Sequence, residues 1–152
     1  GIMDGGGPKW WGVPYLGYVQ RLEDRPYLLL VNQTENMVIS NLLFQDAPYY
    51  TMKLSNVNNL EIHDISIVNR RTREPSHSFW DLSAFNTDGI DVDGHNVYVH
   101  DVDIWNQDDC IAVKDHGSGD SMDRVSSNMT FERIHASGLG LVIGSIGGST
   151  VR

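Results

Sequence analysis

The chain has 152 residues, 40% of them hydrophobic, with 15 glycines and a formal net charge of −9. That apolar content suffices for a core and argues against disorder, and no apolar run approaches the roughly eighteen residues that a membrane-spanning helix needs. The negative charge repels phosphate backbones and so argues against nucleic acid as a partner, while a single cysteine, Cys110, rules out an internal disulfide.

In chain order, Asp4-Gly5-Gly6-Gly7-Pro8-Lys9-Trp10-Trp11 reads as a loop or entry turn. A short pattern then recurs four times, starting at Asn36, Asn59, Asn96 and Asn128: asparagine, apolar, any, apolar, two polar, apolar. Alternation of this kind buries one face of a strand, and the single change of phase marks a bend between two strands. The copies are 23, 37 and 32 residues apart. The shortest spacing suits a bare coil, and the longer ones imply loops inserted on one side, most clearly at 70–83. Each copy is followed by a second alternating pair directed at the same core: Met52 and Leu54, Ile90 and Val92, Ile111 and Val113, Leu141 and Ile143. Strands stacked coil on coil describe an all-β parallel β-helix. An irregular sandwich fits less well, because it leaves the repeated asparagine unexplained and two-residue hairpin turns are missing. The stretch 141–144 reads as a strand, and no capping helix or polar last turn precedes Arg152. Residues 1–152 are therefore expected to form a single domain that is a piece of a longer solenoid. The sequons Asn32-Gln33-Thr34 and Asn128-Met129-Thr130 fit a secreted glycoprotein.

Aligning the second strands on Met52, Ile90, Ile111 and Leu141 puts Tyr50, Asp88, Asp109 and Leu139 in one column, two positions earlier. Neighbouring coils stack about 4.8 Å apart, so Asp88 and Asp109 become neighbours on an outer edge, with Asp108 beside them. Carboxylates this close repel, so at least one proton is held toward neutral pH, which is how an acid and a base are made from one residue type. Such a pair across a scissile bond is the logic of glycoside hydrolysis. Turn capping or calcium binding by the same aspartates is the alternative.

The wording of the motifs, Asn86-Thr87-Asp88-Gly89 followed by Gln107-Asp108-Asp109-Cys110, resembles the family 28 glycoside hydrolases, the polygalacturonase group. The resemblance runs from the glycine-rich start through Arg25-Pro26-Tyr27 to Gly144-Ser145. It implies a right-handed parallel β-helix, hydrolysis of a pectic polysaccharide with inversion, an extracellular site of action, and no metal cofactor. It also implies that Asp108 is the proton donor to the leaving oxygen, that Asp88 and Asp109 hold and deprotonate the attacking water, and that Asn86 orients the cluster. Two features depart from the family pattern. Leu139 in Gly138-Leu139-Gly140 stands where the family carries a histidine, as some rhamnogalacturonan-acting relatives also do, and the family's Arg-x-Lys motif would fall after Arg152. The cysteine that often pairs with that of the Asp-Asp-Cys motif has no counterpart near Ser137, so Cys110 is expected to be a buried free thiol.

Lys114 is a candidate contact for a sugar acid, and Tyr50, with Tyr49, a candidate wall of the substrate groove. Of Trp10, Trp11, Trp80 and Trp105, at least two are expected in the core. No histidine pair shows helical zinc spacing, and His116 after the acidic motif reads as a solvated loop residue. Three functions remain: a pectin hydrolase acting on galacturonan or on another linkage such as rhamnogalacturonan, a silent polysaccharide-binding β-helix, and a lyase using calcium and a base.

Overall fold

The computed structural model describes residues 1–12, 24–70, 83–115 and 125–144. Eight strands form one continuous parallel arrangement: β1 (Ile2–Asp4), β2 (Leu29–Ser40), β3 (Leu43–Gln45), β4 (Met52–Val68), β5 (Ile90–Trp105), β6 (Ile111–Val113), β7 (Ser127–Ser137) and β8 (Leu141–Ile143). A 3-10 turn, Gly7–Lys9, follows β1. The long strands are bent, and each bend starts a new face. On the first face Leu29, Met52, Ile90, Ile111 and Leu141 stack in register. On the second, Met37, Leu60, Val97 and Met129 do so, and on the third β1, β3 and the ends of β4, β5 and β7. This is a parallel β-helix in the register that the repeats predict.

The bends explain the repeated asparagine. Asn36, Asn59, Asn96 and Asn128 have φ of 55, 60, 56 and 52°, in the left-handed region that asparagine tolerates better than most residues. Their amides form a rail along the corner: Asn59 donates to Asn36 (2.7 Å) and Asn128 to Asn96 (2.6 Å), while Asn96 donates to Asn58 (2.9 Å). Five residues on, the next corner repeats the conformation at Asn41, Asp64, Asp101 and Arg133. Arg133 is the costly member, and its guanidinium grips Asp101 on the coil below at 2.7 and 2.8 Å. At the corner before the asparagine rail, β4 carries one residue more than β5. Asn56 is accommodated there by donating its N–H to Asp93 (2.6 Å), and Gly94 is required because a Cβ would lie 2.0 Å from the Val57 carbonyl oxygen.

Inside, Phe44, Met52, Leu54, Ile62, Ile67, Ile90 and Ile104 are fully buried. Each contributes about 1.5–3 kcal/mol by leaving water. Leu141 and Ile143 continue the inward column yet are 51% and 66% exposed, since no further described coil lies on them. Trp11 is buried and donates its indole N–H to Ala47, and Trp105 lies under the Arg70 guanidinium, so two tryptophans are structural. Trp80, His77, His116, Ser145 and the inserted segment 71–82 lie outside the described residues.

Candidate active site

The site grows from the first face. β5 and β6 are held in register by Ile90 on Ile111, and the chain just before each strand continues the pairing: the Gly89 N–H donates to the Asp109 carbonyl (2.9 Å) and the Thr51 N–H to that of Asp88 (2.8 Å). The column predicted from sequence is therefore real, and Tyr27 extends it by one coil, because Leu29 stacks on Met52. Asp88, Asp108 and Asp109 each place a carboxylate oxygen within 4.8 Å of those of the other two. The structure thus brings the three predicted acids into one cluster.

Each acid is fixed differently. Both oxygens of Asp108 accept backbone N–H groups, from Asn86 and from Asp109, at 2.9 Å. Asn86 orients the cluster through its main chain: at φ 59° its N–H faces Asp108, so asparagine serves here as a residue that tolerates a left-handed bend. Asp88 is 3% exposed, its Oδ1 has no hydrogen-bond partner, and burial, aided by repulsion from Asp91, Asp108 and Asp109, pushes its pKa up to about 8. Asp109 is half-buried, and burial followed by the charge of Asp108 raises its pKa as well. Turn capping describes Asp108 but leaves Asp88 unexplained.

Two buried asparagines that sequence reasoning passed over lock the frame. Asn106 donates to the carbonyls of Thr87 (2.9 Å) and Asp109 (2.8 Å), tying the two acidic motifs together, and its Oδ1 accepts the Cys110 thiol. Asn69 does related work one coil earlier, bonding Ala47 and Thr51. Both follow a strand end 37 residues apart, the interval between Asn59 and Asn96, so extending the repeat would have found them. Cys110 is buried and free, and burial raises its pKa. Asp91, also passed over, is fully buried beside Asp88.

Tyr27, Tyr49 and Tyr50 cluster on the coils preceding the acids, with Tyr49 and Tyr50 stacked at 4.2 Å. Burial raises the pKa of Tyr50, as it does that of Tyr27, so both are neutral phenols in ordinary buffers. A cleft of about 480 Å3 is lined by Tyr27, Leu30, Asn32, Lys53, Ser55, Asp93 and Asp115, and Lys53 in its wall lies 4.0 Å from Asp91. Lys114 turns to Asp91, its Nζ 3.4 Å from Oδ2. Leu139 stands next to Asp109 in the column, 64% exposed, and supports the site only through its N–H, which donates to the Asp108 carbonyl.

The described residues thus form coils of a parallel β-helix with three carboxylates clustered at the edge of the first face. The comparison with known proteins makes this specific. The model of the glycosyl hydrolases family 28 matches residues 1–152, and the chain belongs to that family. It is 31% identical to a probable endopolygalacturonase D of Emericella nidulans over 98% of this chain and 27% of that protein. It is 30% identical to a polygalacturonase of Saccharomyces cerevisiae over 96% and 35%, respectively. A rhamnogalacturonase A of Aspergillus niger matches at 27% identity over 88% of this chain and 26% of that protein. The chain thus spans about a quarter to a third of the length of these relatives.

Proposed function

We propose that this chain supplies the acid/base core of a glycosidase that hydrolyses the backbone of pectin, a galacturonan in the first instance. The observation that carries the reading is the cluster of Asp88, Asp108 and Asp109, three carboxyl groups within 4.8 Å of one another and close to Tyr50. Such a cluster holds a proton near neutral pH as a shared property, so it can present an acid and a base at once. In the proposed division of labour Asp108, held by two backbone N–H groups, carries a proton as its carboxylic acid and passes it to the leaving oxygen, becoming a carboxylate. Asp88 and Asp109 hold and deprotonate the water. Inversion rests on family membership and not on spacing: oxygens within 4.8 Å lie closer than the roughly 6.5–9.5 Å usual for inverting carboxyl pairs. The anomer released, read by proton NMR before mutarotation, decides it.

A polymer of this kind is met outside the cell, so the protein is proposed to be secreted, and among the described residues no helix is long and apolar enough to cross a membrane. Of the sequons, Asn32 opens on the cleft, while the Asn128 amide is engaged in the rail. The deciding experiment is reducing-sugar release from polygalacturonate and from rhamnogalacturonan by the intact protein, alongside its Asp108→Asn variant. Hydrolysis by the wild type and a loss of about 10³-fold in kcat with little change in KM are expected of the variant. Binding of either polymer without release would establish a silent binding module instead. Leu139 in place of the family histidine, together with the rhamnogalacturonase relatives, favours rhamnogalacturonan as the second substrate to test.

A further inference from the structure

Lys114 follows β6, and no step above uses it. Its backbone is pinned on both sides, the N–H donating to the Val92 carbonyl (2.9 Å) and the carbonyl accepting the Ser126 hydroxyl (2.8 Å), so its side chain leaves from a fixed point. It reaches Asp91, whose side chain is 0% exposed and meets both the Lys114 ammonium and the Asp88 carboxyl. Burial makes this carboxyl costly to ionise, and a cation beside it lowers that cost. Two lysines serve: Lys114 Nζ at 3.4 Å and Lys53 Nζ, from β4, at 4.0 Å from the same oxygen. They are not equivalent. Lys53 acts on Asp91 alone, whereas the charge of Lys114 favours ionisation of Asp91, Asp88 and Asp109 together.

We propose that Lys114 is a positioning residue of the carboxylate site: moored on Asp91, it fixes a positive charge beside Asp88 and Asp109 and thereby sets how tightly the cluster holds its protons. Its effect on turnover rests on the hydrolytic reading above, while its effect on the carboxyl groups does not. The charged and titratable neighbours are accounted for coil by coil. Lys53 and the neutral phenol of Tyr50 come from two coils below, Asp88, just before β5, and Asp91 and Asp93, within it, from the coil below, and Asp109 and Asp115 from the segment that carries Lys114 itself. Leu139, on the coil above, contributes no charge. Lys114 is thus the described cation whose field reaches the acids, a task that an imidazole at position 139 is not there to share.

The signs follow. Removing the cation in Lys114→Met makes every nearby carboxyl harder to ionise, so the pH profile of kcat/KM moves up, by about 0.5–2 units for a charge some ångströms away in a partly screened site. Removing the buried anion in Asp91→Asn moves it down by a similar amount. The double variant returns toward the wild type, and Lys114→Arg keeps the wild-type profile. A lesion that merely loosened the fold would lower activity in both single variants without shifting them in opposite directions. The profiles are to be measured on polygalacturonate with the intact protein, and the aspartate carboxyl carbons titrated in parallel by 13C NMR. Opposite shifts in the NMR titration uphold the proposal even if no sugar is released, in which case the hydrolytic reading alone falls. Release of sugar with carboxyl titrations unmoved in both single variants overturns it, as does a rise in KM alone in Lys114→Met, which would make Lys114 a substrate contact.

Discussion

Replacing Asp88 by asparagine removes a charge and changes almost no volume, and so isolates what burial of that charge costs the fold. The side chain is 3% exposed, and its pKa stands at about 8 against an ordinary 3.8. Between these two values the folded chain keeps a proton that the unfolded chain has released, so stability falls as pH rises across the window. At about 1.36 kcal/mol per unit, the four-unit interval sets a ceiling of roughly 6 kcal/mol. Sharing of protons with Asp91 and relaxation of the site bring the expected effect to about 1–3 kcal/mol. Asp88→Asn should therefore match the wild type in urea unfolding near pH 4 and exceed it by that amount near pH 8, while losing hydrolysis. A variant no more stable at the higher pH, or equally more stable at both, would refute the account, because an electrostatic cost must disappear once the carboxyl is protonated. Stability gained on deleting a residue assigned to the proposed chemistry is the expected trade at a functional site.

Asn96 sits in the middle of the rail, donating to Asn58 and accepting from Asn128 at φ 56°. Asn96→Ala loses both bonds and strains the bend, at about 2 kcal/mol or more in chemical denaturation, whereas Asn96→Gly keeps the bend and should lose about half as much. A Cβ added at Gly138 would lie 2.1 Å from Asn106 Oδ1 and 2.6 Å from the Asp108 carbonyl oxygen. Gly138→Ala must therefore push the Asn106 clamp aside, and it is expected to cost about 2–4 kcal/mol and most of the sugar release, measured by unfolding and by rate. If the acids work as proton carriers, dialysis against a chelator leaves the rate of sugar release unchanged. A loss restored by calcium would assign the cluster to a cation and revive the lyase reading, which ultraviolet-absorbing unsaturated products would confirm.

The architecture was legible because apolar alternation and a conformational preference coincide: Leu60 and Ile62 face inward while Asn59 makes the bend, and this triplet returns on each coil. The proximity of Asp88 and Asp109 followed from counting back two residues from Ile90 and Ile111, since parallel stacking leaves no freedom once inward residues are matched. What remained hidden has a common cause. Asn69 and Asn106 read as loop residues, because a buried polar side chain is betrayed only by the carbonyls it satisfies, and those belong to other coils. Asp91 alternates outward between Ile90 and Val92, which normally means solvent, yet Lys53 and Lys114 from the adjoining coils cover it. Leu29 and Val31 repeat the spacing of Met52 and Leu54 one coil earlier, but they precede the first asparagine of the pattern. β1 is too short to announce itself and forms because β3 offers an edge.

Charge supplies the last constraint on the substrate. Asp88, Asp91, Asp108 and Asp109 crowd one patch, and the two lysines within it are already engaged by Asp91. Among the described residues the arginines of neighbouring coils are spent on the frame: Arg25 bonds the Pro48 and Phe85 carbonyls, Arg70 those of Asn106 and Ser137, and Arg133 holds Asp101. A galacturonate unit at the scissile bond brings a further carboxylate, which near the ionised members of this patch is repelled unless a guanidinium or ammonium receives it. We propose that within the described coils this field disfavours an unclamped uronate beside Asp109 and Leu139. A uronate there needs a clamp from residues beyond these coils, which is where the family's Arg-x-Lys motif would fall. The relative rates on rhamnogalacturonan and polygalacturonate thus measure the charge of this patch as much as the identity of the enzyme: a strong preference for the all-acidic polymer would mean that cations outside the described coils outweigh the four aspartates at the bond.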